Sequence, residues 1–345
     1  MSNKAIDCLD FCVIDNSLWM ISGNFNALLK YDNKHNTVEF VSFFPLEIMT
    51  LKYGYYRILN YEKKLICVPQ FSNSIVIYDT ETASFERSDD LVFEGGGRFA
   101  DACIRDNRLY CIPTDSSRNM LVIDLKSLKI IDRCRIEVSE NYGFNRCYFY
   151  KDNIYLNVPG KDIVVDININ KMNNTVFSVG EDGEYSAITG YDEMLFLQDS
   201  KGERLLKYDL ANNSVSGIVK DGEKSHEICA IDKNRVLVGS IEYPLKMVSF
   251  ENQSAAIIGE RANKYILESK FVNGSFRNQD EKVYYFDRLS SSVLIYTNID
   301  LIQTEIGLEQ SDRNIIMREI LKGQDNPMLL ETNLLGVGEF VRGMK

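Results

Sequence analysis

The chain of 345 residues carries two histidines, and they set the first limit on its chemistry. His226 precedes Glu227, and such a pair could act as a base and the group that orients it. Neighbours along a strand point to opposite faces, which weakens that pairing. His35 falls in a polar turn between outer strands and is expected in solvent. No HExxH, no GxSxG and no P-loop occurs, and no Cys–His pairing has metal-ligand spacing. A second set is more regular. Asp10, Arg57, Asp101, Asn145, Ser186 and Glu227 are each a polar residue in a mostly apolar run, at comparable distances ahead of a hairpin turn. The fourth run can be shifted by one residue, so Arg146 competes with Asn145. A seventh run is too irregular to align, although Lys270 lies nearby. Three carboxylates in such a set could hold a divalent cation. The arginines beside them argue for charge pairing instead, and no metal or cofactor is expected.

Aromatic side chains are the other resource, with 19 tyrosines and 18 phenylalanines. Tyr53, Tyr55, Tyr56, Tyr142, Phe144 and Tyr185 cluster at the starts of the same runs, beside Arg57, Arg98 and Arg146. Tyr and Arg are enriched at interaction hot spots, and tyrosine faces also stack on sugars. The plainer reading is packing between strands. Gly95-Gly96-Gly97 could form an anion-binding nest, but a connecting loop is the simpler expectation. The acidic stretches 180–184 and 221–223 read as exposed turns rather than calcium loops.

The elements that must position these residues recur. An apolar run closing on an Asp-like position appears as Leu28-Leu29-Lys30-Tyr31-Asp32, Ile75-Val76-Ile77-Tyr78-Asp79, Leu121-Val122-Ile123-Asp124, Ile163-Val164-Val165-Asp166 and Leu205-Leu206-Lys207-Tyr208-Asp209. Weaker copies end near Glu251 and Thr297. The closing positions 32, 79, 124, 166, 209, 251 and 297 are spaced by 42 to 47 residues. Each copy has a second apolar run upstream, such as Leu65-Ile66-Cys67-Val68, and polar hairpin turns such as Asp106-Asn107. Four short strands per repeat, seven times, predict an all-β, seven-bladed β-propeller. The physical reason is burial: a four-stranded sheet with two apolar faces can hide both only between neighbours. The closing Asp is expected to cap the next turn with its carboxylate, as an Asx-turn.

The Tyr-Asp ending resembles the Trp-Asp of WD40 blades and the Tyr-Asp of kelch-like and YVTN-like propellers, over roughly residues 7–305. The recurrent Gly-His of WD40 repeats and the kelch double glycine are missing. The resemblance implies that the first strand of each blade lines a central channel, with ligands meeting one of its mouths. The channel and ligand candidates are therefore Asp10, Tyr56, Arg57, Arg98, Asp101, Arg146, Tyr185, His226 and Glu227. A water-filled channel lined by paired charges is the simpler alternative.

Residues 306–345 leave the repeat. Ser311 is positioned to cap a helix with apolar positions Ile315, Ile316, Ile320 and Leu321, ended by Gly323. An apolar tail follows, and both are expected to pack on the propeller rather than serve as a docking element.

Composition narrows the function class. The net charge of −11 argues against nucleic acid and anionic membrane as partners. The first 16 residues lack a basic-then-apolar leader pattern. The eight cysteines are scattered, with no CxxC, as expected of reduced core thiols in a cytoplasm. The expectation is a non-catalytic, cytoplasmic, accessory or scaffold propeller that binds a protein or peptide. The alternative is a lyase or hydrolase acting on a sugar or small anion at the channel mouth.

Overall fold

The computed structural model describes residues 8–322 except 16, 24, 33–34, 36, 50, 52, 181–182, 202–203, 221–226, 240–244, 259–273, 280–281, 288–291, 298–300 and 307–309. Those residues form seven four-stranded sheets, each an antiparallel meander in sequence order. The first strands of the sheets are Cys8–Ile14, Tyr55–Tyr61, Phe99–Arg105, Cys147–Tyr150, Tyr185–Tyr191, Glu227–Ala230 and Gly274–Gln279. One helix, Gln310–Lys322, follows the last sheet. In a meander, the turns between strands one and two and between three and four lie at one end. The loops between strands two and three, and those passing to the next sheet, lie at the other. The first end is called here the hairpin face and the second the loop face.

Alternation along the strands decides how the sheets associate. Leu65 and Cys67 enter a core shared with Trp19 and Ile21 of the first sheet. Their neighbours Ile66 and Val68 point the other way, into a core shared with Leu109 and Cys111 of the third. The pattern repeats around the molecule. A further core joins Tyr284, Phe286 and Val293 of the last sheet to Phe11, Leu18 and Met20 of the first. The row of sheets therefore closes on itself. None of the eight cysteines forms a disulfide, and Cys103 and Cys147 are only partly buried while the other six are core thiols.

The closing Asp behaves as expected in three sheets. Asp79 Oδ1 accepts from the N–H of Glu81 and Thr82, each at 2.9 Å. Asp124 Oδ1 accepts from Ser127 N–H and Oγ, both at 2.7 Å. Asp209 Oδ1 accepts from Ala211 and Asn212 N–H. The fourth sheet departs from the expected position. Asp166 sits inside its strand opposite Tyr155 and takes an Asn153 amide at 3.1 Å. Asn168, two residues on, ends the strand and accepts from Asn170 and Lys171 N–H. An Asn side-chain oxygen offers the same acceptor, so the turn is kept and the sequence signal shifts. In the sixth sheet Ser249 Oγ accepts from Asn252 N–H, so Glu251 does not fill this role. His35 is exposed, with Nδ1 2.6 Å from the Asp32 carboxylate.

The helix starts at Gln310, so Ser311 lies within it rather than capping it. Ile316 joins the core between the last and first sheets, as does Ile306. Ile315 is exposed, against the expectation of an apolar face that includes it. Gly323 and the tail beyond it lie outside the described residues.

Phe286→Ala empties part of the closing core and is expected to cost about 3–5 kcal/mol in chemical denaturation. Ile131→Ala, on an exposed outer-strand position, is expected to stay within about 0.5 kcal/mol. Stability should also depend on acid pH. Hydrogen bonds from the backbone and Thr82 lower the Asp79 pKa, and bonds from Ser127 and Asn212 lower those of Asp124 and Asp209. A depressed folded pKa means the contribution is present above the unfolded value of about 3.9 and is lost as pH falls through the lower folded value. Melting temperature across pH 2–6 should show that loss, and Asp79→Asn, which keeps the acceptor but does not titrate, should reduce it.

Candidate functional site at the ring axis

A repeated irregularity aims the polar residues of the first strands. In the first sheet Cys8 pairs with Ser22 and Asp10 with Ile21, so Leu9 is an extra residue. Tyr56, Ala100 and Ser186 are extra at the same place in the second, third and fifth sheets. Such a bulge bends its strand and redirects the next side chain. The residues that follow are Asp10, Arg57, Asp101 and Ala187. The fifth position is therefore Ala187, and the expected Ser186 is the bulged residue itself, with its hydroxyl 3.4 Å from Gln198 O.

Asp10, Arg57, Asp101, Arg146 and Glu227 come together. Asp10 Oδ2 accepts from Ile58 N–H of the second sheet at 2.8 Å. Asp101 Oδ2 accepts from Cys147 N–H of the fourth sheet, also at 2.8 Å. Each carboxylate thus holds the backbone next to the arginine of the following sheet. Arg57 lies between them, with Nη1 3.6 Å from Asp10 and Nε 2.5 Å from Asp101 Oδ1. The Nε contact lies off the N–H direction, so it is an ion pair rather than an aligned hydrogen bond. Arg146 Nη1 is 4.0 Å from Asp101, and its Nη2 donates to Glu227 Oε1 at 3.0 Å. The fourth position is thereby filled by Arg146. Asn145 instead donates to Ser186 O at 3.3 Å.

The reach from Arg146 to Glu227 passes the fifth sheet, where Ala187 leaves room for a long side chain. The Arg146 guanidinium also lies 5.0 Å from the centre of the Tyr56 ring, a cation–π contact. Burial opposes charge on Arg57, but Asp101 and Asp10 outweigh it and its pKa rises. Burial also opposes charge on Arg146, and Glu227, Tyr56 and Asp101 raise its pKa well above the ordinary value. Burial raises the Tyr56 hydroxyl despite the opposing effect of Arg146. Both arginines are therefore fixed cations and the phenol is a neutral one. This cluster can orient and neutralise, and its arginines and phenol do not exchange protons near neutral pH.

The remaining candidates separate. Tyr185 is fully buried in the core between the fourth and fifth sheets, so it packs and does not reach a mouth. Tyr55 and Phe144, at equivalent starts, are likewise buried. Arg98 is exposed in the loop ahead of the third sheet, outside the axial contacts described above. His226, Lys270 and the stretch 221–223 lie outside the described residues. The Gly95–Gly97 segment is a close-approach loop: Gly97 N–H bonds Ser72 O, and a Cβ on Gly96 would stand 3.2 Å from Phe71 O. The Gly96 and Gly97 N–H groups are committed to the Phe93 and Ser72 carbonyls rather than open to an anion. Sequence reading missed Glu47, a buried carboxylate between the first two sheets that accepts from Asn73 N–H and Ser74 Oγ at 3.0 Å. Its neighbours, Leu46 and Ile48, gave no periodic signal.

No family model and no curated protein sequence matches the chain. Solved structures do. A catalytically inactive virginiamycin B lyase from Staphylococcus aureus, crystallised with quinupristin, has a TM-score of 0.65 at 10% identity over 84% of this chain and 94% of that one. Hsv2 from Kluyveromyces marxianus gives 0.54 at 10% identity over 85% of this chain and 92% of its own. The chain is a β-propeller repeat protein. The extracellular domain of a one-component system from B. thetaiotaomicron gives 0.61 at 12% identity, over 83% of this chain and 37% of that one. At such identities the likeness carries the propeller fold alone. Among the described residues no helix is long and apolar enough to cross a membrane.

Asp101→Asn leaves two guanidiniums facing a neutral amide, and a cost of about 3–5 kcal/mol is expected in chemical denaturation. Adding Arg57→Met should recover part of it, with a coupling of about 0.5–3 kcal/mol in the double-mutant cycle. Strict additivity would show that the two side chains act independently.

Proposed function

We propose that this propeller has seven blades and is a non-catalytic, cytoplasmic binding module for a protein or peptide partner, acting as an accessory or scaffold subunit. The observation that carries this reading is the state of the axial charges. Asp10, Asp101, Glu227, Arg57 and Arg146 are engaged with one another and with backbone N–H groups. A cluster so paired holds neighbouring blades in register, as buried ion pairs do when each partner is met. Recognition then falls to the loop face, where the connections between blades emerge. The blade count rests on the seven sheets and on the core that joins the last to the first. Residues 1–305 form the propeller in this reading, and 306–345 pack on it, as the burial of Ile306, Arg313 and Ile316 supports.

Site-specific photo-crosslinking in native cells tests the reading. A photoreactive residue at Tyr142, on the loop face, should give a discrete protein adduct, and one at the exposed Glu81, on the hairpin face, should not. Turnover of a sugar or small anion by the purified protein, abolished by Glu227→Gln, would overturn it in favour of a lyase or hydrolase at the axis.

A further inference from the structure

Three large apolar side chains stand exposed together on the loop face. Leu46 is 78% exposed, Phe71 49% and Val92 40%. They belong to three different connections, yet one network fixes all three. Glu47, next to Leu46, takes Asn73 N–H and Ser74 Oγ into its carboxylate. Ser74 pairs with Val92 as an isolated bridge, and Phe93 N–H bonds Asn73 O at 2.6 Å. Gly96 and Gly97 close against Phe71 and Ser72. The platform under the three side chains is therefore held by buried hydrogen bonds, while the side chains themselves remain in solvent.

Backbone conformation marks the same place. Among the described residues fourteen non-glycine residues have positive φ, and all but Leu46, Tyr53 and Arg98 lie in the tight turns of the hairpin face. In those turns a left-handed residue is what closes the hairpin. The other three flank this platform, in the connections from the first sheet to the second and from the second to the third. Leu46, at φ 58°, is both left-handed and almost fully exposed. Asn or Gly would suit that backbone better, and Leu gains nothing there by burial. Strained residues of this kind concentrate at ligand clamps.

Charge narrows the occupant. Asp89, Asp90 and Glu94 are exposed on the connection that carries Val92, against two cations, Arg98 exposed at its end and Arg87 half-buried at its start, where it faces Glu47. The other carboxylate of the platform, Glu47, is occupied as above. The rim is net acidic on a chain of net charge −11, which disfavours a second copy and an anionic surface alike. We propose that Leu46, Phe71 and Val92 form the docking surface for a cationic, apolar peptide segment of a partner protein. This deepens the binding reading above and rests on it.

The probes are three degenerate pools of 12-residue peptides that alternate Leu or Phe with Arg or Lys, with Gln or Asn, or with Glu or Asp. Fluorescence anisotropy with the full-length protein should show the cationic pool binding at least tenfold tighter than the neutral pool, with no binding of the acidic pool. The preference should shrink with added salt. Leu46→Asn should leave the melting temperature unchanged or raised and weaken cationic binding at least tenfold. The pair Asp89→Asn and Asp90→Asn should reduce the charge preference. Equal binding of the three pools, or full binding by a folded Leu46→Asn, overturns the proposal. So does a sedimentation profile showing a dimer that Leu46→Asn dissolves, since the occupant would then be a second copy. If Tyr142 still forms its photo-adduct while the pools fail, the binding reading stands and this surface is rejected. If neither is seen, the binding reading fails as well.

Discussion

Every sheet in this protein has two apolar faces, and that single constraint organises the rest. A sheet with one wet face could stand at the end of a row, but Leu18 and Trp19 on one strand need partners on opposite sides. The same holds for Leu65 and Ile66. No sheet is therefore dispensable or terminal, and the core that joins the last sheet to the first is as necessary as those between consecutive ones. The helix Gln310–Lys322 contributes Ile316 to that closing core, so the segment after the repeats reinforces the seam between the last sheet and the first.

The axis inherits its character from that closure. First strands brought side by side must satisfy the N–H groups that face the neighbouring sheet. Asp10 and Asp101 do this for the second and fourth sheets, and Thr189 Oγ1 does it for Ala230 N–H of the sixth. The arginines then meet carboxylates already fixed by backbone bonds. Arg146 reaches Glu227 past the fifth sheet, whose residue at this level is Ala187.

The architecture was legible because its signals are local and repeated: a two-residue alternation, hairpin turns and a closing Asp each recur. The Asp166 assignment shows the limit, since the turn needs an oxygen acceptor rather than an Asp, and Asn168 provides one. At the axis, Asp10, Arg57, Asp101 and Glu227 could be read from their polarity within apolar runs. The choice of Arg146 over Asn145 could not, because the two polar neighbours differ by one place in register and composition does not say which of them faces the axis. Tyr185 misled for the same reason: one residue before the bulge, an aromatic points into the core. The exposed trio on the loop face was invisible in sequence, because Leu46, Phe71 and Val92 are brought together only by hydrogen bonds between separate connections.

The alternation of Asp10, Arg57, Asp101 and Arg146 has a parity problem. Signs that alternate around a closed circle need an even number of places, and the seven-bladed circle proposed above is odd. Somewhere two like charges must touch or one place must be neutral. The fifth sheet takes the neutral place with Ala187, and Arg146 spans it to find Glu227. The circle is thus not equivalent at all its joints. The fifth sheet is clamped between its neighbours by apolar packing and a Thr189 hydroxyl, without an axial charge of its own at that level.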